Sequence, residues 1–175
     1  MQRLLDSLEI SPAIIKTATW DVVAWNRAAA AVLTDYSILP PAQRNILRLV
    51  FCNPRIRESQ DDWEGTARFV VGAFRADAAR AGATAEVSKL VEELCSLSPE
   101  FANLWRDNEV RTHSEGTKRL RHPDIGLIEL EYSAFAVDGR PDLGMIVFSP
   151  IVKVDADRVW SLVNLMRSKI STARD

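Results

Sequence analysis

Residues 116–152 read GTKRLRHPDIGLIELEYSAFAVDGRPDLGMIVFSPIV, and the period of this stretch decides the fold. Apolar and polar side chains alternate with a period of two in GTKRLRH, GLIELEYSAFAV and LGMIVFSPIV, and the intervening HPDIG and DGRPD carry turn chemistry. Three antiparallel strands are predicted. Pairing the first two about Ile125 sets Leu120 opposite Leu130, with Arg119 and Arg121 opposite Glu131 and Glu129. The basic burst is then answered within its own hairpin instead of forming a nucleic-acid patch. The same alternation gathers Leu120, Ile128, Leu130 and Tyr132 on one apolar face. His122-Pro123 closes the first strand, since proline holds its predecessor extended.

Upstream the period is helical. From Asp62, the residues Trp63, Ala67, Val70, Phe74 and Ala78 recur at helical spacing, with Glu64 and Arg68 as an i,i+4 pair. A long amphipathic helix ending near Gly82 is predicted. Val87, Leu90, Val91 and Leu94 repeat the pattern. Ser98-Pro99-Glu100 then supplies a cap, a first-turn proline and an acid for a short helix carrying Phe101, Leu104 and Trp105 on one face. Further back, Asn26 is placed to cap a helix through Arg27 to Leu33, and Pro40-Pro41 opens another through AQRNILRLVF. A short amphipathic start precedes PAIIKTATWDVVAWN, which reads as a hairpin with strands at about 13–18 and 21–26. Downstream, Val159, Leu162, Val163, Met166 and Ile170 make one stripe of a C-terminal helix from about Asp155.

Two strands, a block of helices, three strands and a terminal helix specify an α+β domain of the PAS-like kind. Its antiparallel sheet has about five strands, two N-terminal and three C-terminal, covered on one face by the helical block. Such a fold encloses space between sheet and helices.

The 175 residues suffice for one buried core and are expected to form a single domain, 1–175. With 22 basic against 24 acidic side chains and a net charge of -2, broad attraction to nucleic acid or to an anionic membrane is not expected. Cys52 and Cys95 are isolated, and MQRLLDSLEI lacks the apolar run of a signal peptide. No stretch approaches the roughly 18 apolar residues of a membrane span. A cytoplasmic location is expected.

Catalytic and metal chemistry find little footing. His113 and His122 form neither HExxH nor HxxxH, no Cys, Asp or Glu stands at zinc-site spacing, and GxSxG, Walker A and GxGxxG patterns are missing. The pairs Asp61-Asp62 and Glu92-Glu93 border amphipathic segments and read as solvated helix flanks. Neither a metal nor a cofactor is expected. In RNILRLVFCNPRIRE, by contrast, Arg44 and Arg48 lie one turn apart and Phe51 one turn beyond. Cations beside apolar groups are chemistry suited to an anionic, hydrophobic ligand, although arginine stems that snorkel along a helix give the same pattern.

WDVVAWNRAAAAVLTDYSILPPAQRNILRLVFCNPRIRE, SPEFANLWRDNEVR and GTKRLRHPDIGLIELEY, in this order and spacing, closely resemble the ligand-binding domain of MmyB-like bacterial transcription regulators. The likeness runs from about Leu4 to Leu165. It implies a non-catalytic PAS-like sensor domain that binds a fatty acid or similar lipophilic carboxylate. It also implies an upstream helix-turn-helix domain of the XRE type, absent from this chain, through which DNA would be contacted. A sensor of another small molecule, or a protein-interaction or dimerisation module, stands as the alternative, with a small-molecule enzyme behind both. A homodimer is expected, with the C-terminal stripe and the N-terminal LLDSL segment as the surfaces for it, although both segments equally suit covering the domain's own sheet. Chemistry and periodicity select Trp25, Leu47, Phe51, Phe74, Phe101, Leu104, Leu130, Tyr132 and Phe148 to line the pocket, with Arg48, Arg44 and Asn26 at the ligand head group.

Overall fold

The computed structural model describes residues 1–80, 82, 84–107 and 115–172. A one-and-a-half-turn helix, α1 (Gln2–Ser7), leads into the N-terminal hairpin of β1 (Ala13–Thr17) and β2 (Val22–Trp25). At its turn Trp20 adopts φ 64°, a left-handed conformation costing on the order of 1 kcal/mol for a side chain this large. Anchoring offsets that cost: the indole meets Phe74 edge-on at 6.0 Å and its Nε1 donates to Asp77 at 2.9 Å.

Asn26 caps α2 (Arg27–Val32) as anticipated, its Oδ1 accepting from Ala29 N. The next helix departs from expectation. Pro41–Gln43 form only a 3-10 turn, and Asn45 starts afresh as the cap of α3 (Ile46–Cys52), its side chain accepting from the amides of Leu47 and Arg48. The restart follows from tertiary contact: Asn45 also donates to Thr19 O and Asp21 Oδ1 and bridges to the first hairpin. Arg44 therefore lies outside the helix and does not share a face with Arg48. Asn53 and Pro54 then open α4 (Pro54–Ser59), followed by α5 (Trp63–Arg80), α6 (Ala85–Leu97) and α7 (Pro99–Arg106).

The alternating block forms β3 (Glu115–His122), β4 (Gly126–Val137) and β5 (Arg140–Pro150), and α8 (Lys153–Thr172) ends the described chain. All five strands share one antiparallel sheet in the order β2-β1-β5-β4-β3. This is the α+β, PAS-like arrangement that the order of elements predicts. The β3–β4 register differs by two residues from the predicted one: Leu120 pairs with Ile128, Arg119 with Glu129, Arg121 with Leu127, and His122 with Gly126. A three-residue turn ending at Gly126, whose φ of 75° suits glycine, sets that register. A slip of two preserves the side-chain parity, so the apolar face is the predicted one. The charge mirror is not formed as drawn: Arg119 and Arg121 both reach Asp61, at 3.1 and 2.8 Å.

Two cores result. Leu47, Val50, Phe51, Ala67, Phe74, Leu94 and Phe101 bury one another between α3, α5, α6 and α7. Leu120, Ile128 and Leu130 of the sheet pack with Val159, Leu162 and Val163 of α8. Val159, Leu162 and Val163 of the C-terminal stripe thus cover the domain's own sheet, while the Ile170 side chain lies outside the described residues, and Leu5 of the LLDSL segment is likewise fully buried against β1.

Candidate functional site

The helix α5 presents two stripes. Ala67, Phe74 and Ala78 turn into the helical core, Gly65, Phe69, Ala73 and Ala76 line a cavity of about 910 Å³ beneath the helix, and Val70 borders both. That volume lies toward the upper end of the range for small-molecule sites. The small side chains at Gly65, Ala73 and Ala76 leave unfilled the space between helix and sheet. The opposite wall comes from the inward-facing parity of the strands: Ile14 and Lys16 of β1, Ile146 and Phe148 of β5, Tyr132 of β4, and Lys118 and Leu120 of β3. Val32 and Leu33 at the end of α2 and Ile56 and Gln60 at the end of α4 close the sides.

Aromatic contacts fix the middle of the wall. Tyr132 lies 4.9 Å from Phe69 and 6.2 Å from Phe148, ring centroid to centroid. Its ring leans across Gly116 on the neighbouring strand, where a Cβ would stand 2.6 Å from the phenol oxygen. Any side chain at position 116 would push the ring away. The absence of one is what lets Tyr132 lie along the cavity floor.

Each end of the cavity carries an ammonium group, in different surroundings. Near β1, Lys16 is only 6% exposed. Its Nζ donates to Asp77 Oδ2 at 2.5 Å and sits 4.5 Å from the Trp20 ring. Burial pulls the Lys16 pKa down and the Asp77 carboxylate opposes the shift. Asp77 is fully engaged, also accepting from Trp20 and from Arg80 at 2.9 and 2.8 Å. Near β3, Lys118 donates to the neutral amide oxygen of Gln60 at 2.7 Å. Burial pulls its pKa down to about 8. The side chain is nonetheless half-buried by area, because part of its surface lines the cavity.

The residues selected from sequence are distributed between this cavity and other tasks. Tyr132 and Phe148 are on its wall. Leu47, Phe51, Phe74 and Phe101 are buried in the helical core, with Leu104 packed against it, and Leu130 lies between the sheet and α8. Trp25 packs on Tyr36 at 5.4 Å, with the Arg44 guanidinium 5.3 Å from its ring. Arg44 also donates from Nε to Leu39 O at 3.0 Å. Arg48 forms a two-pronged contact with Glu93, Nε and Nη2 each donating at 2.7 Å. Asn26, 2% exposed, ties the chain start to β1 and α2. None of these three polar side chains is on the cavity wall.

Sequence reading missed Lys118 and the second stripe of α5. Lys118 did carry a signal: it shares the parity of Leu120 and so was bound to face inward once β3 was a strand. Among the described residues, no three His, Cys, Asp or Glu side chains are grouped to hold a metal ion, and no helix is long and apolar enough to cross a membrane. His122 is fixed by Asp124 N donating to Nδ1 at 3.1 Å, which leaves Nε2–H to donate to Ala31 O at 3.0 Å. His113 lies outside the described residues. Compared with models of protein families, residues 1–159 match that of the MmyB-like transcription regulator ligand binding domain. Comparison with curated proteins finds no match.

Proposed function

Because the chain belongs to the family of MmyB-like transcription regulator ligand binding domains, we propose that it senses a fatty acid or a similar lipophilic carboxylate in the cavity beneath α5. The observation that supports this reading is the cavity itself, about 910 Å³, with an apolar middle built from Phe69, Ala73, Ile14, Ile146, Tyr132 and Phe148 and a cation toward each end. An alkyl chain satisfies the middle and an acid group satisfies an end. Burying about ten methylenes at roughly 0.8 kcal/mol each gives on the order of 8 kcal/mol before association and ordering costs. A largely preformed wall keeps the ordering cost low, which is consistent with micromolar affinity. Of the residues selected from sequence, Tyr132 and Phe148 stay in this proposal as lining groups.

Regulation follows if the ligand binds two arrangements of the regulator unequally, since equal binding shifts nothing. DNA would be reached through a separate helix-turn-helix domain. Denaturing extraction of the purified protein with mass spectrometry tests the reading directly, alongside thermal shifts over a panel of fatty acids of increasing length. Co-purified lipid, or a rise in melting temperature that grows with free ligand concentration, is the expected result. No lipid and no rise across the panel would overturn it.

A further inference from the structure

Resting on the reading of the cavity as a lipophilic-carboxylate site, we infer that Lys118 holds the ligand carboxylate at the α4–β3 end of the cavity, the alkyl chain running beneath α5 past Phe69 and Ala73. Two ammonium groups line the cavity, and their partners distinguish them. Lys16 is already neutralised by Asp77, whose carboxylate also accepts from Trp20 and Arg80. A ligand carboxylate arriving there would stand beside the Asp77 carboxylate, which already holds both Lys16 and Arg80.

Lys118 has an amide for a partner and forms no ion pair among the described residues. Asp61, the residue after Gln60, is shared by Arg119 and Arg121. An ammonium has three donors, and the Gln60 contact uses one. Gln60 is itself oriented, its Nε2 donating to Ile56 O at 3.3 Å and Ser59 Oγ at 3.2 Å, so its oxygen is turned to Lys118 and helps aim the remaining donors. A cation pulled down in pKa by burial, without a counter-charge, gains more from an incoming carboxylate than one already paired. The geometry of the tail agrees: the strand order carries the cavity from Lys118 on β3 past Tyr132 on β4, which meets Phe69, to Ile146 on β5 and Ile14 on β1.

The contact also lies where a ligand would be felt by the rest of the fold. Gln60 bridges to Leu120, and Asp61 N donates to Arg119 O at 3.4 Å, so α4 is fastened to the edge strand beside Lys118. Drawing Lys118 from Gln60 to a carboxylate changes that fastening directly.

The test compares hexadecanoic acid with hexadecanol, and dodecanoic acid with dodecanol, on the wild-type chain, Lys118→Met and Lys118→Arg, with circular dichroism verifying each fold. Wild-type protein should prefer the acids. Lys118→Met should weaken the acids by about tenfold or more and the alcohols by less than about twofold, and Lys118→Arg should restore most of the preference. A carboxyl-labelled fatty acid gives a second readout: its bound carbon-13 resonance should move in Lys118→Met and recover in Lys118→Arg. Equal weakening of acid and alcohol, or no change in either, overturns the assignment of Lys118 while leaving the cavity reading in place. Wild-type protein that binds neither class defeats both.

Discussion

Arg48 of α3 and Glu93 of α6 face each other through two parallel hydrogen bonds of 2.7 Å, from Nε to Oε1 and from Nη2 to Oε2. The guanidinium fork is used up in joining two helices of the core. Arg48→Ala should therefore lower stability by about 1 kcal/mol, a modest figure because both side chains are partly exposed, without discriminating fatty acids from alcohols. The hydrogen bond from Arg48 holds the Glu93 pKa below its ordinary value. A carboxylate of lowered pKa stabilises above its unfolded pKa and loses that contribution as pH falls through the folded value. Urea unfolding at pH 7 and pH 3 should show the deficit of Arg48→Ala at the first and its shrinkage at the second.

Asn26 is used five ways. Its Oδ1 accepts from Ala13 N and Ala29 N, and its Nδ2 donates to Leu5 O, Leu8 O and Ser11 O. Asn26→Ala removes a helix cap and leaves buried backbone groups unpaired, so a loss of roughly 2 to 4 kcal/mol is expected. Asn26→Asp keeps the acceptor but turns a carboxylate toward three carbonyls, and should be destabilising as well. Equilibrium unfolding of both variants checks the pair.

Filling the cavity separates stability from binding. Ala73 is on the cavity stripe of α5, and Ala73→Phe should occupy the space the alkyl chain needs while leaving the α5 core face, Ala67 and Phe74, in place. The expected outcome is a melting temperature near that of the wild type and loss of the fatty-acid-induced rise, read by thermal shift.

Asp61 couples α4 to β3 by holding both Arg119 and Arg121. A double-mutant cycle on Asp61 and Arg119 should give a coupling of about 0.5 to 1 kcal/mol. The corresponding cycle on Arg119 and Glu131 should give none, because Glu131 pairs with Thr117 in this register.

The Lys118 pKa is lowered from 10.5 to about 8 by burial. Between those values the unfolded chain binds more protons than the folded one, so stability rises with pH across that window and is least below it. Lys118→Met removes the titrating group. It should melt higher than the wild type at pH 7, and the gap should narrow as pH approaches 10; scanning calorimetry at several pH values measures both.

The elements of this fold were largely readable in the chain. Period two in residues 116–150 marks three strands, period 3.6 from Trp63 marks α5, and Asn26 and Ser98 mark helix starts by their side chains, because these signals are set by residues near in sequence. The break at Asn45 was not readable, since it depends on Thr19 and Asp21 across the fold.

For the site, local signals ran out sooner. Sequence alone determined that an antiparallel sheet would be covered by helices and that Leu120, Ile128, Leu130 and Tyr132 would share one apolar face. Periodicity identifies an apolar face but not whether another side chain or open space meets it. Only the packed structure decided that Leu47, Phe74 and Phe101 meet one another while Phe69 and Ala73 meet a cavity. It likewise decided which cations were already answered: Arg48 finds Glu93 forty-five residues away and Lys16 finds Asp77 sixty-one away, while Lys118 finds, among the described residues, only an amide. Ion pairing between distant elements is fixed by how they dock, and no spacing within the chain encodes it.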